Sequence, residues 1–565
     1  MNLITKKMNT IIFHIKNKLV ALSCLVILLL VMSCEDALEE KVVDFYNADD
    51  FFNTEQQANT AISGIYGGLQ DNIGLPQLFG VISTMSDELR SRMAGQTAYF
   101  QFSQHEFDPF HPYVDQIYKR LYNGVRDCNF VIGGLKQDVL EDKYDAYLAE
   151  ARFFRAYYHF MLLKTYGPIV ISNSLPTDPF AANGPRNNVF EVLDFIFEDL
   201  TFAAEHLPES NSIGRVDQWG AKAMKAKAHL WLASCVQNNV LYYETQPTTG
   251  DYTPQTHYAL VRDLCQEIKA GSGYGLYQDF ENLWLINNKE KESGTGVKEH
   301  MVSVNFNFTG NPEEGNAWGG LINTFRQGLN PTYWVTSKGD VVLMGAGFSA
   351  IHAEVDFWLK FEGANLANAN NYSDGGDTRR YKGYRLEAKL DSPDASTLVV
   401  GQPNAGITQY DAIFMTVFGV SKYAGQGPEN NTSGNALIPI MRYSDVLLML
   451  AEASNELGDT GLAIENLNAV RQRAYEGDSG QFPNANLSVD TDLGLAILEE
   501  RGKEFVGEIN RWYDLVRTKT VISTLQNLNS ITPPTGTLSD KNYFLPIPVN
   551  ALVANPNIEQ SEVWK

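Results

Sequence analysis

The hydrophobic residues of this chain recur at helical spacing over most of its first half. A capping box at Thr54-x-x-Gln57 precedes apolar positions separated by four, three and four residues, at Ala58, Ile62, Ile65 and Leu69. The same 3.6-residue period predicts helices near 114–135 and 144–166. The second of these ends at Gly167-Pro168, which is a strong helix terminator.

Three further sets of helical positions follow. Apolar positions over 189–207 and 223–233 predict a second helical pair, and those over 446–457 and 463–474 predict a third. A helix near 493–507 comes after them. Paired helices in which small and aromatic residues alternate are typical of tetratricopeptide-like hairpins. The predicted fold is therefore mainly α, with a tetratricopeptide-like helical-hairpin scaffold.

The pattern changes between 238 and 436, where Gly, Asn, Thr and Tyr dominate and helical runs are short. This segment contains half of the eight tryptophans, namely Trp284, Trp318, Trp334 and Trp358. So much aromatic surface is unusual for a linker, so we expect loops and short strands inserted in the scaffold. The predicted divisions are an N-terminal helical part (51–237), the irregular region (238–436), and a C-terminal helical part with an extended tail (437–565), packed as one unit.

The amino terminus has the pattern of a secretory leader. Four lysines precede the apolar stretch Leu19–Cys34, and no acidic residue occurs before Glu35. The apolar run is short for a transmembrane helix, which needs about 20 residues, and it ends in small residues. Residues 1–33 are predicted to be a signal peptide, and the acidic, aperiodic segment 34–50 is predicted to be a tether.

The last residues of the leader, Val31-Met32-Ser33-Cys34, resemble a bacterial lipobox. That resemblance implies that cleavage leaves Cys34 as the new amino terminus, carrying acyl chains that anchor the protein to a membrane. An ordinary cleaved signal with a chance cysteine, or an uncleaved anchor, are the alternatives.

The charge of the chain limits its partners. Removal of the leader takes away four lysines and changes the net charge from −23 to −27. An acidic surface of this kind argues against nucleic acid, whose phosphates require basic contacts. It also argues against electrostatic docking onto anionic lipid, so the acyl anchor is needed for membrane attachment.

Motifs for catalysis or cofactor binding are missing from the sequence. The nine histidines form no HExxH and no zinc-type Cys/His spacing, and neither GxSxG nor GxxxxGK[ST] occurs. Residues 345–350 fit GxGxxA, but the βαβ repeats of a dinucleotide site are absent. We predict no catalytic residue, no metal and no cofactor. Cys128, Cys235 and Cys265 are predicted to be small buried hydrophobic residues.

Two charged segments have a functional and a structural interpretation. Asn365–Asp377 is rich in oxygen donors, but an EF-hand counted from Asn368 needs Glu where Arg379 stands, so a plain surface turn is preferred over a calcium loop. The segment 499–517 holds many charges of both signs. We interpret it as an ion-pair network formed at i, i+3 and i, i+4 spacing, not as an active site.

Aromatic residues in loops are the candidates for ligand binding. A sugar ring has an apolar C–H face that suits a flat aromatic side chain, and a hydroxyl edge that suits amide and charged groups. Two stretches, 99–105 and 316–334, contain both aromatic and polar side chains. The predicted ligand-binding residues in them are Tyr99, Phe100, Phe102, Trp318, Tyr333 and Trp334. Core packing is the commoner role for any one of them.

Five separated motifs resemble those of SusD/RagB outer-membrane lipoproteins, and they occur in the family's order. They are LAEARFFRAYYHFMLLKTYGPIV (148–170), IPIMRYSDVLLMLAEASNELGD (438–459), AIENLNAVRQRA (463–474), EERGKEFVGEINRWYDLVRT (499–518) and YFLPIPVNAL (543–552). The resemblance covers both helical ends of the mature chain. The middle third, where the family binds ligands, has no residue-level match.

The resemblance implies a lipid-anchored protein on the exterior of the outer membrane. It implies a tetratricopeptide-like scaffold with an irregular ligand-binding region, which caps a SusC-like TonB-dependent transporter and delivers oligosaccharides to it. Members of the family are not enzymes. Three alternatives stay open. One is a peptide-binding member of the family, and another is an extracytoplasmic glycoside hydrolase, which needs two carboxylates about 5–9 Å apart. The third is a structural repeat scaffold without a small ligand, which predicts that the aromatic residues of the middle region are buried.

Overall fold

The computed structural model describes most of the chain from residue 51 onward. The described residues are 51–72, 81–91, 97–175, 183–212, 214–241, 250–278, 280, 283, 298–305, 332–335, 341–344, 352–362, 376–379, 384–386, 418–420, 437–475, 492–528 and 534–565. Residues Phe52–Lys565 form one compact unit. The predicted signal peptide, the tether and Cys34 lie outside the described residues.

Helices make up most of the described chain. In chain order they are α1 (Glu55–Asn72), α2 (Thr97–Ser103), α3 (Pro112–Gly134), α4 (Gln137–Leu140), α5 (Tyr144–Tyr166), α6 (Val189–His206), α7 (Gln218–Gln237), α8 (Pro254–Gly271), α9 (Val355–Trp358), α10 (Tyr443–Glu456), α11 (Thr460–Ala474), α12 (Leu493–Glu504), α13 (Arg511–Arg517), α14 (Val521–Gln526) and α15 (Val549–Ala554).

The long helices pack in series. Each member of the series α1, α3, α5, α6, α7, α8, α10 and α11 contacts the next, and α12 then packs on α10 and α11. Helices that are neighbours in the chain are therefore neighbours in space, as in stacked helical hairpins. The prediction of a mainly α, tetratricopeptide-like scaffold is confirmed.

Local signals place the helix ends where the sequence predicts them. The Thr54 hydroxyl accepts a hydrogen bond from the Gln57 amide at 3.2 Å, and the Gln57 side chain accepts one at 3.0 Å from the amide of Asn53, one residue earlier than in a standard capping box. Asn188 and Glu191 form a standard capping box at the start of α6. Gly167 ends α5 with a φ of 75°, a left-handed conformation that glycine adopts without strain.

One long helix of the scaffold was not predicted. Helix α8 lies inside the segment expected to be irregular, and it packs between α7 and α10. Its buried residues recur at helical spacing and are His257, Tyr258, Val261, Cys265 and Ile268. Because this buried stripe includes polar and small residues, its hydrophobic periodicity is weak. The Gly- and Tyr-rich sequence around it also favours an irregular structure, so the helix was not predicted. The C-terminal tail likewise contains the short helix α15 within otherwise irregular structure.

The strands are short and pair across long stretches of sequence. In chain order they are β1 (Leu89–Arg90), β2 (His300–Asn305), β3 (Thr332–Val335), β4 (Val341–Met344), β5 (His352–Ala353), β6 (Tyr384–Leu386), β7 (Phe418–Val420) and β8 (Leu437–Arg442). Within the described residues they form antiparallel pairs β1–β5, β2–β8, β3–β4 and β6–β7. The β2–β8 pair connects the irregular region to the start of α10.

The core confirms the expectation for the cysteines. Cys128, Cys235 and Cys265 are buried free thiols in α3, α7 and α8, and burial raises the pKa of each thiol. They therefore pack as small hydrophobic side chains. Among the described residues, no helix has the length and apolar character that crossing a membrane requires.

A buried group of charges, which we call the central charge cluster, joins the irregular region to the C-terminal helices. Arg442 is 0% exposed and contacts Glu504 at 2.8 Å and Glu508 at 2.9 Å. Its guanidinium also binds Glu299, just before β2. The cluster consists of Glu299, Asp377, Arg379, Arg442, Arg473, Glu500, Glu504 and Glu508.

The partners of segment 499–517 differ from the expected ones. Its charges are structural, as predicted, but most pairs join residues far apart in sequence and not residues one helical turn apart. Arg511 binds Asp87 at 2.7 Å, and Arg501 binds Asp445 at 2.8 Å. The pair of Arg517 with Asp514 has the i, i+3 spacing. The segment is therefore held by tertiary contacts that the sequence order does not reveal.

The oxygen-rich loop Asn365–Asp377 lies outside the described residues except for its last two positions. Of these, Asp377 binds Arg379 at 2.7 Å, and Arg379 also binds Glu504 at 2.9 Å. Arg379, which occupies the position of the EF-hand glutamate, thus neutralises the Asp377 carboxylate. Among the described residues, no three metal-type side chains converge on one point.

Removal of a single member of the central charge cluster should strongly destabilise the fold. Arg442→Met removes the guanidinium that binds Glu299, Glu504 and Glu508, and breaking a buried pair in this way costs about 3–5 kcal/mol. Urea unfolding measures the loss. Arg126→Met is the control, because Arg126 is exposed and pairs with Asp127 on the surface, where the expected change is below about 1 kcal/mol. Equal losses in both variants would contradict a structural role for the cluster.

The free energy of unfolding should fall at acidic pH, because protonation of Asp87 removes the negative charge that binds Arg511 and Lys360. Burial alone would raise the pKa of Asp87, but Arg511 and Lys360 outweigh it and lower the pKa to about 2 from 3.8. Its contribution of about 2 kcal/mol is complete above pH 3.8 and is lost as the pH falls through 2. Asp87→Asn should flatten the dependence of unfolding free energy on pH between about 4 and 2. Asp142→Asn, at an exposed site, should leave the slope as in the wild type.

Candidate functional site

The aromatic residues predicted between the first helices are mostly part of the core. Phe102 in α2 is 0% exposed, stacks on Phe107 at 4.7 Å and meets the His111 ring edge-on at 4.8 Å. Tyr99 is 7% exposed and packs on Tyr113. Phe100 between them is partly exposed. Phe102 is therefore inaccessible to a ligand in this conformation, whereas part of the Phe100 side chain is accessible.

The predicted aromatic residues of the irregular region are less fully described. Trp318 lies outside the described residues. Tyr333 and Trp334 lie in β3, opposite Leu343 and Val342 of β4. The structure therefore places these two in a two-stranded sheet, and their role in ligand binding stays a prediction.

An open cleft of about 550 Å³ lies at another place, beside α3 and α15. Its walls are Tyr118 and Tyr122 of α3, the segment 170–175 that follows α5, and the C-terminal residues around α15. We call it the tyrosine cleft. Its described lining residues are Tyr118, Tyr122, Val170, Ile171, Ser172, Asn173, Ser174, Leu175, Asn183, Gly184, Ala551, Ala554, Asn555 and Ile558.

The two tyrosines of the cleft are held in fixed positions. They stand one turn apart on α3 with ring centroids 4.8 Å apart, and Tyr118 also meets the buried Tyr166 at 90°. The Tyr122 hydroxyl donates to the Val170 carbonyl at 2.9 Å. Burial raises the pKa of both phenols, so both stay uncharged at neutral pH.

Hydrogen bonds fix the polar side of the cleft. The Asn555 amide donates to the Gly184 carbonyl at 2.9 Å, which ties the C-terminal tail to the segment before α6. Asn129 donates to the Ser172 carbonyl at 3.0 Å, and the buried Arg155 donates to the Asn173 carbonyl at 2.9 Å. The backbone of 172–173 is therefore anchored, while the side chain of Asn173 is exposed.

The lining suits an uncharged ligand with both apolar and hydroxyl surface. None of the described lining residues is acidic or basic. Aromatic rings, aliphatic side chains and a few amide and hydroxyl groups are the usual composition of a site that orients a small organic ligand. The absence of Asp and Glu from these residues also means that they do not supply the carboxylate pair of a glycoside hydrolase.

Sequence reasoning did not find the tyrosine cleft. Its residues come from α3, the segment after α5 and the region of α15, so Tyr122 and Asn555 line one cleft although they are far apart in the sequence. The spacing of Tyr118 and Tyr122, one helical turn apart, was the single local signal. That signal is equally typical of core packing.

Two family models match the chain. A model described as the SusD family matches residues 355–564, and one described as starch-binding associating with outer membrane matches residues 43–230. A SusD-like protein, P2, of Formosa agariphila is 26% identical over 557 residues, which cover 94% of this chain and 97% of that relative.

Solved structures with the same fold agree with these matches. A SusD homolog from Bacteroides thetaiotaomicron superposes with a TM-score of 0.70 at 19% identity, covering 91% of this chain and 98% of that one. The surface glycan-binding protein A from Bacteroides fluxus gives 0.65 at 21% identity, covering 90% and 99%. With the two family models, the full-length relative and the shared helical scaffold, the chain belongs to the SusD/RagB family.

Proposed function

We propose that this protein is a cell-surface lipoprotein that binds oligosaccharides and delivers them to a SusC-like TonB-dependent outer-membrane transporter. The observation that carries the proposal is the tyrosine cleft, an uncharged amphipathic cleft on the scaffold of a SusD/RagB family member. The names of a matching family model and of a structural neighbour, which refer to starch and to surface glycans, support a saccharide ligand.

The chemistry of the cleft supports a neutral saccharide over a peptide. The partly exposed ring of Tyr122 offers a flat face to the C–H groups of a sugar, and Asn173 and Ser174 offer exposed polar groups to its hydroxyls. A peptide ligand carries terminal and side-chain charges in most sequences. The described lining has no charged group to meet them.

The aromatic residues of the loops are proposed as a second set of ligand contacts. Phe100 is accessible in part, and Trp318, Tyr333 and Trp334 belong to the irregular region between the helical parts. Tyr333 and Trp334 are adjacent in β3, and adjacent strand positions belong to opposite faces of a sheet. Their contributions are therefore tested separately.

The amino terminus supplies the proposed membrane attachment. A net charge of −27 after removal of the leader repels anionic headgroups, so attachment rests on the acyl chains at Cys34. A family model described as associating with outer membrane supports this location. The segment 34–50 then keeps the folded unit near the surface, where a barrel transporter can receive the ligand.

Oligosaccharide binding should weaken when the cleft loses an aromatic face. Tyr122→Leu keeps apolar volume but removes the ring, and the expected loss is about 1 kcal/mol, or about fivefold in Kd. Calorimetry with maltooligosaccharides and with fragments of other neutral polysaccharides measures it. Tyr147→Leu is the control, because Tyr147 lies on α5 near Glu55, outside the cleft.

Parallel variants in β3 distinguish the two proposed sets of contacts. If Trp334→Ala or Tyr333→Ala weakens binding and Tyr122→Leu does not, the ligand occupies the irregular region and not the tyrosine cleft. If no saccharide binds and peptides do, the glycan proposal is wrong. Hydrolysis of the saccharide by the purified protein would favour the glycoside hydrolase alternative.

Substitution of the proposed lipidation residue should separate attachment from binding. Cys34→Ala removes the acyl acceptor, so the protein should move from the membrane fraction to the soluble fraction, while its saccharide Kd stays within about twofold of wild type. Fractionation followed by calorimetry measures both. A variant that remains in the membrane fraction would contradict anchoring through Cys34.

A further inference from the structure

Many of the polar groups along the tyrosine cleft already form hydrogen bonds within the protein. The side-chain amide of Asn555 donates to the Gly184 carbonyl at 2.9 Å, and its side-chain oxygen accepts from the backbone amide of Asn557 at 3.0 Å. The Tyr122 hydroxyl donates to the Val170 carbonyl at 2.9 Å. A sugar hydroxyl that left water to lie beside these groups would find few unused donors to replace its lost hydrogen bonds.

The backbone of the segment after α5 is occupied in the same way. Asn129 donates to the carbonyl of Ser172 at 3.0 Å and to that of Ser174 at 3.4 Å. Arg155 donates to the carbonyl of Asn173 at 2.9 Å. Both donors are buried, so three successive carbonyls of this wall are bound from the interior. Among the described lining residues, the exposed amide nitrogen of Asn173 is one of the groups still available to a sugar hydroxyl.

Aliphatic side chains of the cleft, in contrast, keep part of their surface in water. Leu175 is 40% exposed, Val170, Ile171 and Ala551 are partly exposed, and Ala554 is exposed. A single exposed aliphatic side chain is ordinary, but several that line one concave site mark a place for an apolar part of a ligand. Covering such a surface with an apolar group is favourable, because it removes both surfaces from water.

Gly184 leaves additional room beside this aliphatic surface. A Cβ atom at position 184 would have one neighbour within 4 Å, which is Val170 Cγ1 at 3.9 Å, and the backbone there lies outside the left-handed region. Neither backbone conformation nor crowding therefore requires glycine at this position. The missing side chain leaves a space the size of a methyl group next to Val170.

We propose that the tyrosine cleft selects saccharides that carry methyl groups, either the methyl that replaces the hydroxymethyl group of a deoxy sugar or the methyl of an O-acetyl ester. This inference rests on the proposed function and specifies its substrate class. The sugar ring packs on Tyr122, and the methyl group packs on the aliphatic lining. A plain hexose would instead bring a hydroxyl group to that lining, where it loses hydrogen bonds to water and gains none.

Matched pairs of oligosaccharides measure this preference by calorimetry with the full mature protein. In one arm, acetylated oligomers of xylan and mannan are compared with the same oligomers after mild alkali has removed their acetyl esters. In the other arm, rhamnose oligomers are compared with mannose oligomers of the same configuration and linkage, which carry one more hydroxyl group on each sugar. The methyl-bearing member of a pair should bind at least about fourfold more tightly, the gain expected from burying one methyl group. The arm that shows this preference identifies the source of the methyl.

Variants of the lining establish where the methyl group binds. Leu175→Asn replaces an aliphatic side chain by an amide and should reduce the preference to within about twofold, with little change in the Kd of the unsubstituted oligomer. Leu260→Asn is the matched control, because Leu260 on α8 is 39% exposed and lies outside the cleft. Gly184→Ala fills the space beside Val170, so it should weaken the methyl-bearing ligand more than the unsubstituted one.

Three results would overturn the inference while leaving the proposed function intact. In the first, saccharides bind but the methyl-bearing member of each pair has no advantage. In the second, an unsubstituted chain such as a maltooligosaccharide binds more tightly than every methyl-bearing ligand. In the third, the wild-type preference persists unchanged in both Leu175→Asn and Gly184→Ala. If no member of any pair binds, the proposed function itself is wrong, so the two failures are distinguishable.

Discussion

The arrangement of this protein depends on the neutralisation of charges that are buried inside it. Arg442, Glu504 and Glu508 have almost no contact with solvent, so each must find an opposite charge within the fold. Removing an ion from water costs several kcal/mol, which only well-placed partners offset. Those partners come from separate parts of the chain, such as Glu299 before β2 and Arg473 at the end of α11. The central charge cluster therefore forms only when these parts meet in one arrangement.

This requirement explains how an irregular insertion is attached to a regular scaffold. The series of helices gains stability from local hairpin packing, whereas the described segments between α8 and α10 include one four-residue helix, α9, and short strands. They are tied down at a few charged positions, among them Asp377 and Arg379, and by the pairing of β2 with β8.

The tyrosine cleft differs from the central charge cluster in its access to water. The cleft is open and its described lining residues are uncharged, so an extended neutral ligand can enter and exchange water for aromatic and amide contacts. The charges of the cluster are buried and bind one another, so their role is to hold the fold together.

Sequence alone determined most of the long helices and their pairing, because helical periodicity and capping act over a few residues and persist in any fold that buries one face. The five motifs identified the family. It also identified the charged segment 499–517 as structural. It missed α8, whose buried stripe contains His257 and Cys265, and it did not separate the core residue Phe102 from its partly exposed neighbour Phe100. Only tertiary structure decided the ion-pair partners and the tyrosine cleft. Each of these joins residues from distant parts of the chain, and burial and electrostatics depend on what surrounds a residue in space, which sequence order does not specify.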